Sequence, residues 1–268
     1  MRGLILHFLD ADRDFEKLET HLARDFLNVL PFIIFGALLS ATGAAKSLIT
    51  IAFNLMRGTR GGPAHAAILA SGMFGSVSGS AVSNVVGTGV ITIPMIKKRG
   101  YAPSFAGGVE ATASTGGQIM PPIMGAAALV MADLTGTKYL DIMIAALVPA
   151  LAYYLSLFVT VVFESRRMNM QAQGLDEVDP IERQDLINVG LLVFLPLFIV
   201  IWRLVQGASP AGAALTAILV LIILSGFSPT VREQPSVLLR AIAKGGVTFG
   251  RLLMVVGVVG IIVAVMNT

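Results

Sequence analysis

Glycine, serine and threonine are concentrated in two short runs within one apolar stretch, residues 75–122. The runs are residues 75–83 and 112–117, and a basic cluster at residues 97–99 lies between them. Small residues leave the backbone free to depart from the helical conformation and to turn its carbonyl groups toward a bound ion or solute. At membrane depth such irregular backbone is tolerated only where it lines a cavity or is buried in protein. Paired broken segments of this kind indicate the binding site of a membrane transporter.

Two features of this stretch have alternative interpretations. Ser76, Ser80 and Asn84 are spaced four residues apart, so the first run could instead be a small-residue surface for close helix packing. Glu110 is the only carboxylate in residues 26–132, and an ionisable residue inside a membrane segment is a functional candidate by default. For Glu110 we favour a structural role, in which it hydrogen-bonds broken backbone or pairs with a nearby cation.

The composition is that of an all-α polytopic membrane protein. Of the 268 residues, 55% are hydrophobic and 13% are charged, and the mean hydropathy is +0.82. Soluble domains carry about 25% charged residues. The net charge of +3 is too small to suggest nucleic acid, so we interpret the basic residues as orientation signals at a lipid bilayer. There is no cysteine and the three histidines share no ligand spacing, so no zinc or iron centre is predicted.

The N-terminal third predicts a re-entrant helical hairpin after one membrane span. Residues 1–25 form a charged amphipathic segment, residues 26–45 form an apolar span, and residues 47–60 form a helix along the membrane surface. Basic residues flank residues 61–96 on both sides, and the positive-inside rule places both flanks in the cytoplasm. Either two full crossings or a re-entrant hairpin satisfies this pattern, and each arm has about a dozen residues, against the roughly 20 of a full crossing. We therefore predict a re-entrant hairpin over residues 61–96, with its tip near residues 78–84.

The following segment, residues 102–133, is predicted to be one crossing made of two half-helices. Pro121 and Pro122 remove two backbone donors and clash with the preceding turn, so the helix must break near STGGQIMPP. The remaining predicted elements are a returning helix at 140–163, a polar cytoplasmic linker at 164–185, spans at 186–205 and 211–227, a surface helix at 236–249, and a last span from 246 to 266.

The motifs SGSAV, IPMIKKRGY and STGGQIMPP, at this spacing, resemble the large membrane subunit of tripartite ATP-independent periplasmic (TRAP) transporters. The resemblance is strong over residues 61–132, and within the family it is closest to the fused permeases that work with TAXI-type binding proteins. It implies a fold of two inverted repeats, of which residues 26–163 would be the first and residues 186–268 the truncated start of the second. The chain would then be a fragment, or one part of a split transporter.

The resemblance also implies a function and a set of site residues. It implies uptake of carboxylate solutes across a bacterial or archaeal inner membrane, driven by Na⁺ as coupling ion, without a cofactor. The partners would be a periplasmic solute-binding protein and a small membrane subunit or the missing remainder of the permease. The implied ion and substrate site comprises a hairpin tip, an unwound partner and two residues that hold the break open, namely Ser76, Ser78, Gly79, Ser80 and Asn84; Ser114, Thr115, Gly116, Gly117 and Gln118; and Pro121 and Pro122.

Three other functions remain open at this point. A non-transporting structural fragment is an alternative because the chain would supply only half of the site. A channel is another, since STGGQ could act as a carbonyl filter, although two unequal breaks favour alternating access. An intramembrane enzyme would need a nucleophile with a base, and no His or Asp lies within the spans near the Ser and Thr residues. We therefore expect no enzymatic activity.

Overall fold

The computed structural model describes residues 29–170 and 180–266, and in these ranges the chain is helical and contains no strand. The predicted amphipathic segment at residues 1–25 and most of the predicted linker lie outside the described residues. Among the described helices, two are long and apolar enough to cross a membrane, and a bent pair of shorter helices is a third candidate. The chain is therefore an all-α membrane protein, as its composition predicts.

The predicted first span ends earlier than expected and continues as a bent second helix. Helix α1, Val29–Ala41, meets helix α2, Ala44–Met56, at an angle of 69°. Between them Thr42 donates its hydroxyl to the Leu39 carbonyl at 2.7 Å, and Gly43 adopts the left-handed conformation with a φ of 78°. A left-handed glycine directly after a helix is a common stop signal. That α2 lies along the membrane surface remains a prediction.

Two antiparallel helices joined by a tight turn occupy the predicted hairpin. Helix α3, Gly62–Ser78, has 17 residues and helix α4, Ala81–Lys98, has 18. The arms are longer than the dozen residues expected, because the run of small residues at 75–78 remains helical. At 1.5 Å per residue each arm is about 26 Å long. The short-arm argument for re-entry is therefore wrong, and re-entry itself remains a prediction that depends on the charge pattern.

The helix that follows is interrupted at the two prolines. Helix α5, Pro103–Gly116, ends before a non-helical stretch at residues 117–125, which contains a cis bond between Pro121 and Pro122. Helix α6, Ala126–Thr135, continues the chain, and helix α7, Tyr139–Arg167, returns over 29 residues. The interruption begins later than expected, because the last turn of α5 includes residues that the sequence analysis assigned to the unwound segment.

The described C-terminal residues, 180–266, contain four helices. Helix α8, Arg183–Val205, includes a π-helical stretch at Asn188–Phe194. Helix α9, Pro210–Ser225, and the short helix α10, Pro229–Glu233, follow it. Helix α11, Ser236–Met266, is continuous, so the predicted division into a surface helix and a separate span is wrong. Gly245 and Gly246 lie within it, and Gly245 packs against α1, where an added Cβ would come within 3.3 Å of the Ile34 backbone.

Candidate functional site

The hairpin tip and the break after α5 are in direct contact. The Ile123 amide in the break donates a hydrogen bond to the Ser76 carbonyl near the end of α3, at 3.1 Å. Gly75 of α3 and Gly117 at the end of α5 pack backbone to backbone, and a Cβ built on Gly117 would lie 2.5 Å from the Cα of Gly75. No side chain fits between the two segments at this point. The two runs of small residues therefore form one site.

The turn of the hairpin is specified by two residues. Gly79 has a φ of 59° and donates its amide to the Gly75 carbonyl at 3.0 Å, which closes the last turn of α3. A Cβ on Gly79 would collide with the Met124 carbonyl across the contact, so both conformation and space require glycine. Ser80 caps α4 by accepting a hydrogen bond from the Ser83 amide at 3.3 Å.

Three oxygen atoms at the end of α3 have no hydrogen-bond donor among the described residues. The Ser78 hydroxyl is buried and unpaired. The Val77 and Ser78 carbonyls belong to the last turn of α3, and no amide in the described part of the chain donates to either. Gly36 of α1 covers them, since its added Cβ would lie 3.1 Å from the Ser78 carbonyl oxygen. Unpaired buried oxygens at the negative end of a helix suit a bound cation.

The carbonyl groups at the end of α5, in contrast, are all occupied. Tyr153 and Tyr154 of α7 donate their hydroxyls to the carbonyls of Thr112 and Ala113, each at 2.8 Å. The carbonyls of residues 114–117 accept amides of the following turn at 3.1–3.3 Å. Tyr139 of α7 fixes the break itself by donating its hydroxyl to the carbonyls of Pro122, at 3.0 Å, and Ile123. The carbonyls of residues 112–117, Pro122 and Ile123 are thus paired, in contrast to those of Val77 and Ser78 at the end of α3.

The predicted site residues separate into two groups. Ser76, Gly79 and Gly117 take part in the contact itself, through the Ile123 amide, the Met124 carbonyl and Gly75 respectively. Ser78 and Ser80 lie beside it in the hairpin, and Pro121 and Pro122 lie in the break. Gly116 packs instead against Tyr153 and Tyr154 of α7. Ser114, Thr115 and Gly116 belong to the last turn of α5, so their assignment to an unwound segment is wrong. Thr115 is exposed and donates to the Ala111 carbonyl of its own helix, and the Gln118 side chain is exposed. Asn84 lies in the first turn of α4 and not in the turn of the hairpin.

A second polar cluster, which we call the Glu110 cluster, lies between the two arms and α5. Glu110 is fully buried, and its Oε1 accepts hydrogen bonds from the hydroxyls of Ser71 at 2.9 Å, Ser114 at 3.2 Å and Thr88. Its Oε2 accepts the Thr92 hydroxyl at 2.6 Å. Every hydroxyl in this cluster is itself buried. The sequence analysis expected broken backbone or a cation as the partner of Glu110. The observed partners are instead hydroxyl groups on three helices.

Part of this cluster has a sequence signal that was missed. Asn84, Thr88 and Thr92 recur every four residues on α4 and so share one face, and Asn84 donates its side-chain amide to the Ser71 carbonyl at 2.7 Å. A polar stripe on an apolar helix indicates a buried polar partner, which here is the one intramembrane carboxylate. Ser71 has no such signal, because it is a single hydroxyl among small residues of α3.

These features define an all-helical membrane protein in which a helical hairpin packs its tip against a broken helix. The chain belongs to the family described as tripartite ATP-independent periplasmic transporter, DctM component, whose sequence model matches residues 15–268. Members of this family are transporter permeases, so the prediction that the chain is not an enzyme is confirmed.

Several relatives are named as large permeases of TRAP transporters. The C4-dicarboxylate TRAP transporter large permease protein DctM of Vibrio cholerae is 32% identical over 142 residues, which cover 53% of this chain and 31% of that protein. The protein of the same name from Pseudomonas aeruginosa is 33% identical over 141 residues, covering 53% of this chain and 33% of that protein. The 2,3-diketo-L-gulonate TRAP transporter large permease protein of Escherichia coli is 23% identical over 169 residues, covering 63% and 39%. The chain spans less than half the length of the curated relatives it matches.

Proposed function

We propose that the chain is the first half of the permease of a sodium-coupled TRAP transporter, in the inner membrane of a bacterium or archaeon. In this proposal it imports small carboxylate solutes that a periplasmic solute-binding protein delivers. Family membership and the names of the relatives support the transport function. The observation that carries the ion site is the contact between hairpin tip and helix break, with three unpaired oxygen atoms at the end of α3.

Sodium is the coupling ion that fits these oxygens. Na⁺ is a hard cation and takes carbonyl and hydroxyl ligands, which the end of α3 offers as the Val77 and Ser78 carbonyls and the Ser78 hydroxyl. The negative end of the α3 dipole adds to its attraction. Helices α4 and α6 begin at residues 81 and 126 of the same contact, and their N-termini attract a substrate carboxylate. The second repeat would provide the opposite side of the site, and the solute would bind between the two repeats.

The charge pattern supports an orientation for this half of the permease. Basic residues lie in the last turn or just beyond the end of α2, α4 and α7, at positions 57 and 60, 97–99, and 166–167, and we assign these three ends to the cytoplasm. The hairpin then enters and leaves the membrane on the cytoplasmic side. The sequence motifs favour a TAXI-type binding protein as partner. A small membrane subunit, or the remainder of a fused permease, would complete the assembly.

The test is uptake into vesicles that contain the whole permease, its small subunit and its cognate binding protein, with radiolabelled succinate as the first solute. Uptake should require Na⁺ and fail in choline. Ser78→Ala should raise the Na⁺ concentration for half-maximal uptake about tenfold, since one lost polar contact is worth about 1–1.5 kcal/mol. Ser156→Ala, an exposed serine of α7, is the matched control. An unchanged Na⁺ requirement in Ser78→Ala would contradict the site.

A further inference from the structure

The carboxylate at the centre of the Glu110 cluster is buried and has no basic partner among the described residues. Glu110 has no exposed surface, and none of the described basic residues forms an ion pair with it. Its four contacts are neutral hydroxyls, from Ser71, Thr88, Thr92 and Ser114. A buried charge is strongly disfavoured unless it is paired or hydrogen-bonded. The hydroxyl donors therefore stabilise the charged form of Glu110. The alternative is to neutralise the carboxylate by adding a proton.

The two oxygens of Glu110 are not equivalent. Three hydroxyls lie within hydrogen-bond distance of Oε1, although that of Thr88 has a second acceptor in the Asn84 carbonyl at 2.8 Å, whereas Oε2 has one, Thr92. The Thr92 hydroxyl has a second acceptor within reach, the Thr88 carbonyl one turn earlier, at 3.1 Å. If a proton binds Oε2, the new O–H donates to the Thr92 oxygen, and the Thr92 hydrogen turns to that carbonyl. One hydroxyl rotation thus accommodates the proton and leaves no buried donor unpaired.

A metal cation does not fit the same cluster. Cations of the size of Na⁺ or Ca²⁺ sit about 2.3–2.6 Å from each oxygen, so oxygens on opposite sides of such an ion lie much farther apart than a hydrogen bond. Around Glu110 the oxygens contact one another directly, at 2.6 Å to Thr92, 2.9 Å to Ser71 and 3.2 Å to Ser114. A proton needs no additional volume.

Other titratable groups on the surrounding helices are engaged elsewhere. His65 of α3 contacts the Thr59 hydroxyl at 2.8 Å and the Phe158 carbonyl at 3.3 Å. Tyr153 and Tyr154 of α7 donate to carbonyls of α5. On α4 the nearest charged residues are Lys97 and Lys98, which are exposed at its end, and α5 has no titratable side chain besides Glu110. Glu110 is therefore the titratable side chain that the hydroxyls of α3, α4 and α5 surround.

We propose that Glu110 is a proton-binding site inside the hairpin. Its Oε2 takes a proton from water, forming a neutral carboxyl group, and returns it to water when the charged form is restored. Thr92 is a positioning residue that reverses its hydrogen bond in each step. The consequence for transport rests on the proposed function: the permease would move a proton at Glu110 in addition to the cation at the tip.

The direct test is infrared difference spectroscopy of the purified 268-residue chain between high and low pH. The wild type should show a carboxyl C=O stretching band, at the low-frequency end of the range because Oε1 accepts three hydrogen bonds. Glu110→Gln should lack this band and Asp141→Asn, an exposed carboxylate of α7, should keep it. Ser114→Ala should move it to higher frequency, since Oε1 loses one donor. An identical spectrum in Glu110→Gln, or a band unaffected by Ser114→Ala, would overturn the proposal.

The transport consequence is tested in vesicles that contain the whole wild-type transporter and a pH-sensitive dye inside, with succinate as the probe solute. Entry of protons together with succinate is expected. Succinate uptake without any change in internal pH would overturn the coupling step. Absence of uptake under every gradient would instead contradict the proposed function, and the infrared band of Glu110 would still decide whether the proton site exists.

Discussion

Replacing Gly117 by alanine should push the hairpin tip and the helix break apart. Gly117 has a φ of −58°, which alanine adopts without strain, so any effect of the change must come from space and not from backbone conformation. The new methyl group would lie 2.5 Å from the Cα and 3.0 Å from the carbonyl carbon of Gly75. Both neighbours are backbone atoms of α3, which cannot rotate out of the way as a side chain can.

The magnitude follows from the separation that is required. Ordinary carbon–carbon contacts begin at about 3.5 Å, so the two backbones must move apart by about 1 Å. Overpacking of this kind typically destabilises by about 1–3 kcal/mol. For a chain of this size each kcal/mol corresponds to roughly 2–4 °C in the unfolding midpoint, so Gly117→Ala should lower Tm by about 2–12 °C.

The assay is thermal unfolding of the purified chain in detergent, with Gly107→Ala as the matched control. Gly107 is on the same helix, and an added Cβ there meets no atom within 4 Å. Gly75→Ala should resemble Gly117→Ala, and the double variant should lose less than the two losses summed, because the separation that one methyl group forces also makes room for the other. If Gly117→Ala were as stable as Gly107→Ala, or if the double variant were simply additive, the backbone contact would be absent.

Three further predictions concern the surroundings of the site. Gly36→Ala should lower the free energy of unfolding by about 1–3 kcal/mol, and Tm with it, since the added Cβ would lie 2.9 Å from the hairpin tip. Gly108→Ala has free space around the added Cβ and should have no such effect. Tyr139→Phe should destabilise by about 1–3 kcal/mol, because the carbonyls at the break lose a buried donor; an unchanged denaturant midpoint would refute that role. Single cysteines replacing Arg60 and Lys98, in a chain with no other cysteine, should both react with a membrane-impermeant maleimide from the cytoplasmic side only; labelling from opposite sides would exclude a re-entrant hairpin.

The location of the site could be predicted from the sequence because helix breaking is a local property. Consecutive prolines interrupt a helix regardless of the tertiary structure, and Pro121 and Pro122 lie within the observed break. The lengths of the helices could not be predicted as well. Gly75 reads as a helix breaker, yet it is helical, because its lack of a side chain serves the contact with Gly117.

The Glu110 cluster could be predicted only in part. That a lone intramembrane carboxylate needs a partner follows from solvation, and the stripe of Asn84, Thr88 and Thr92 is visible in the sequence. Which face of α4 meets α5 depends on the packing of three helices, which no local pattern specifies. The unpaired oxygens of Ser78 were equally hidden, because hydrogen-bond satisfaction depends on where the neighbouring segments lie.

The central claim is that the oxygens at the end of α3 hold a cation, and the most direct test is the effect of Na⁺ on the unfolding temperature of the purified chain. A ligand that binds only the folded state stabilises it by about 2.7 kcal/mol at a hundred times its Kd. Tm should rise with added NaCl and should not rise with choline chloride at equal ionic strength, and in Ser78→Ala the same rise should need about ten times as much Na⁺. Equal responses to both salts, or an unshifted response to Na⁺ in Ser78→Ala, would contradict the site.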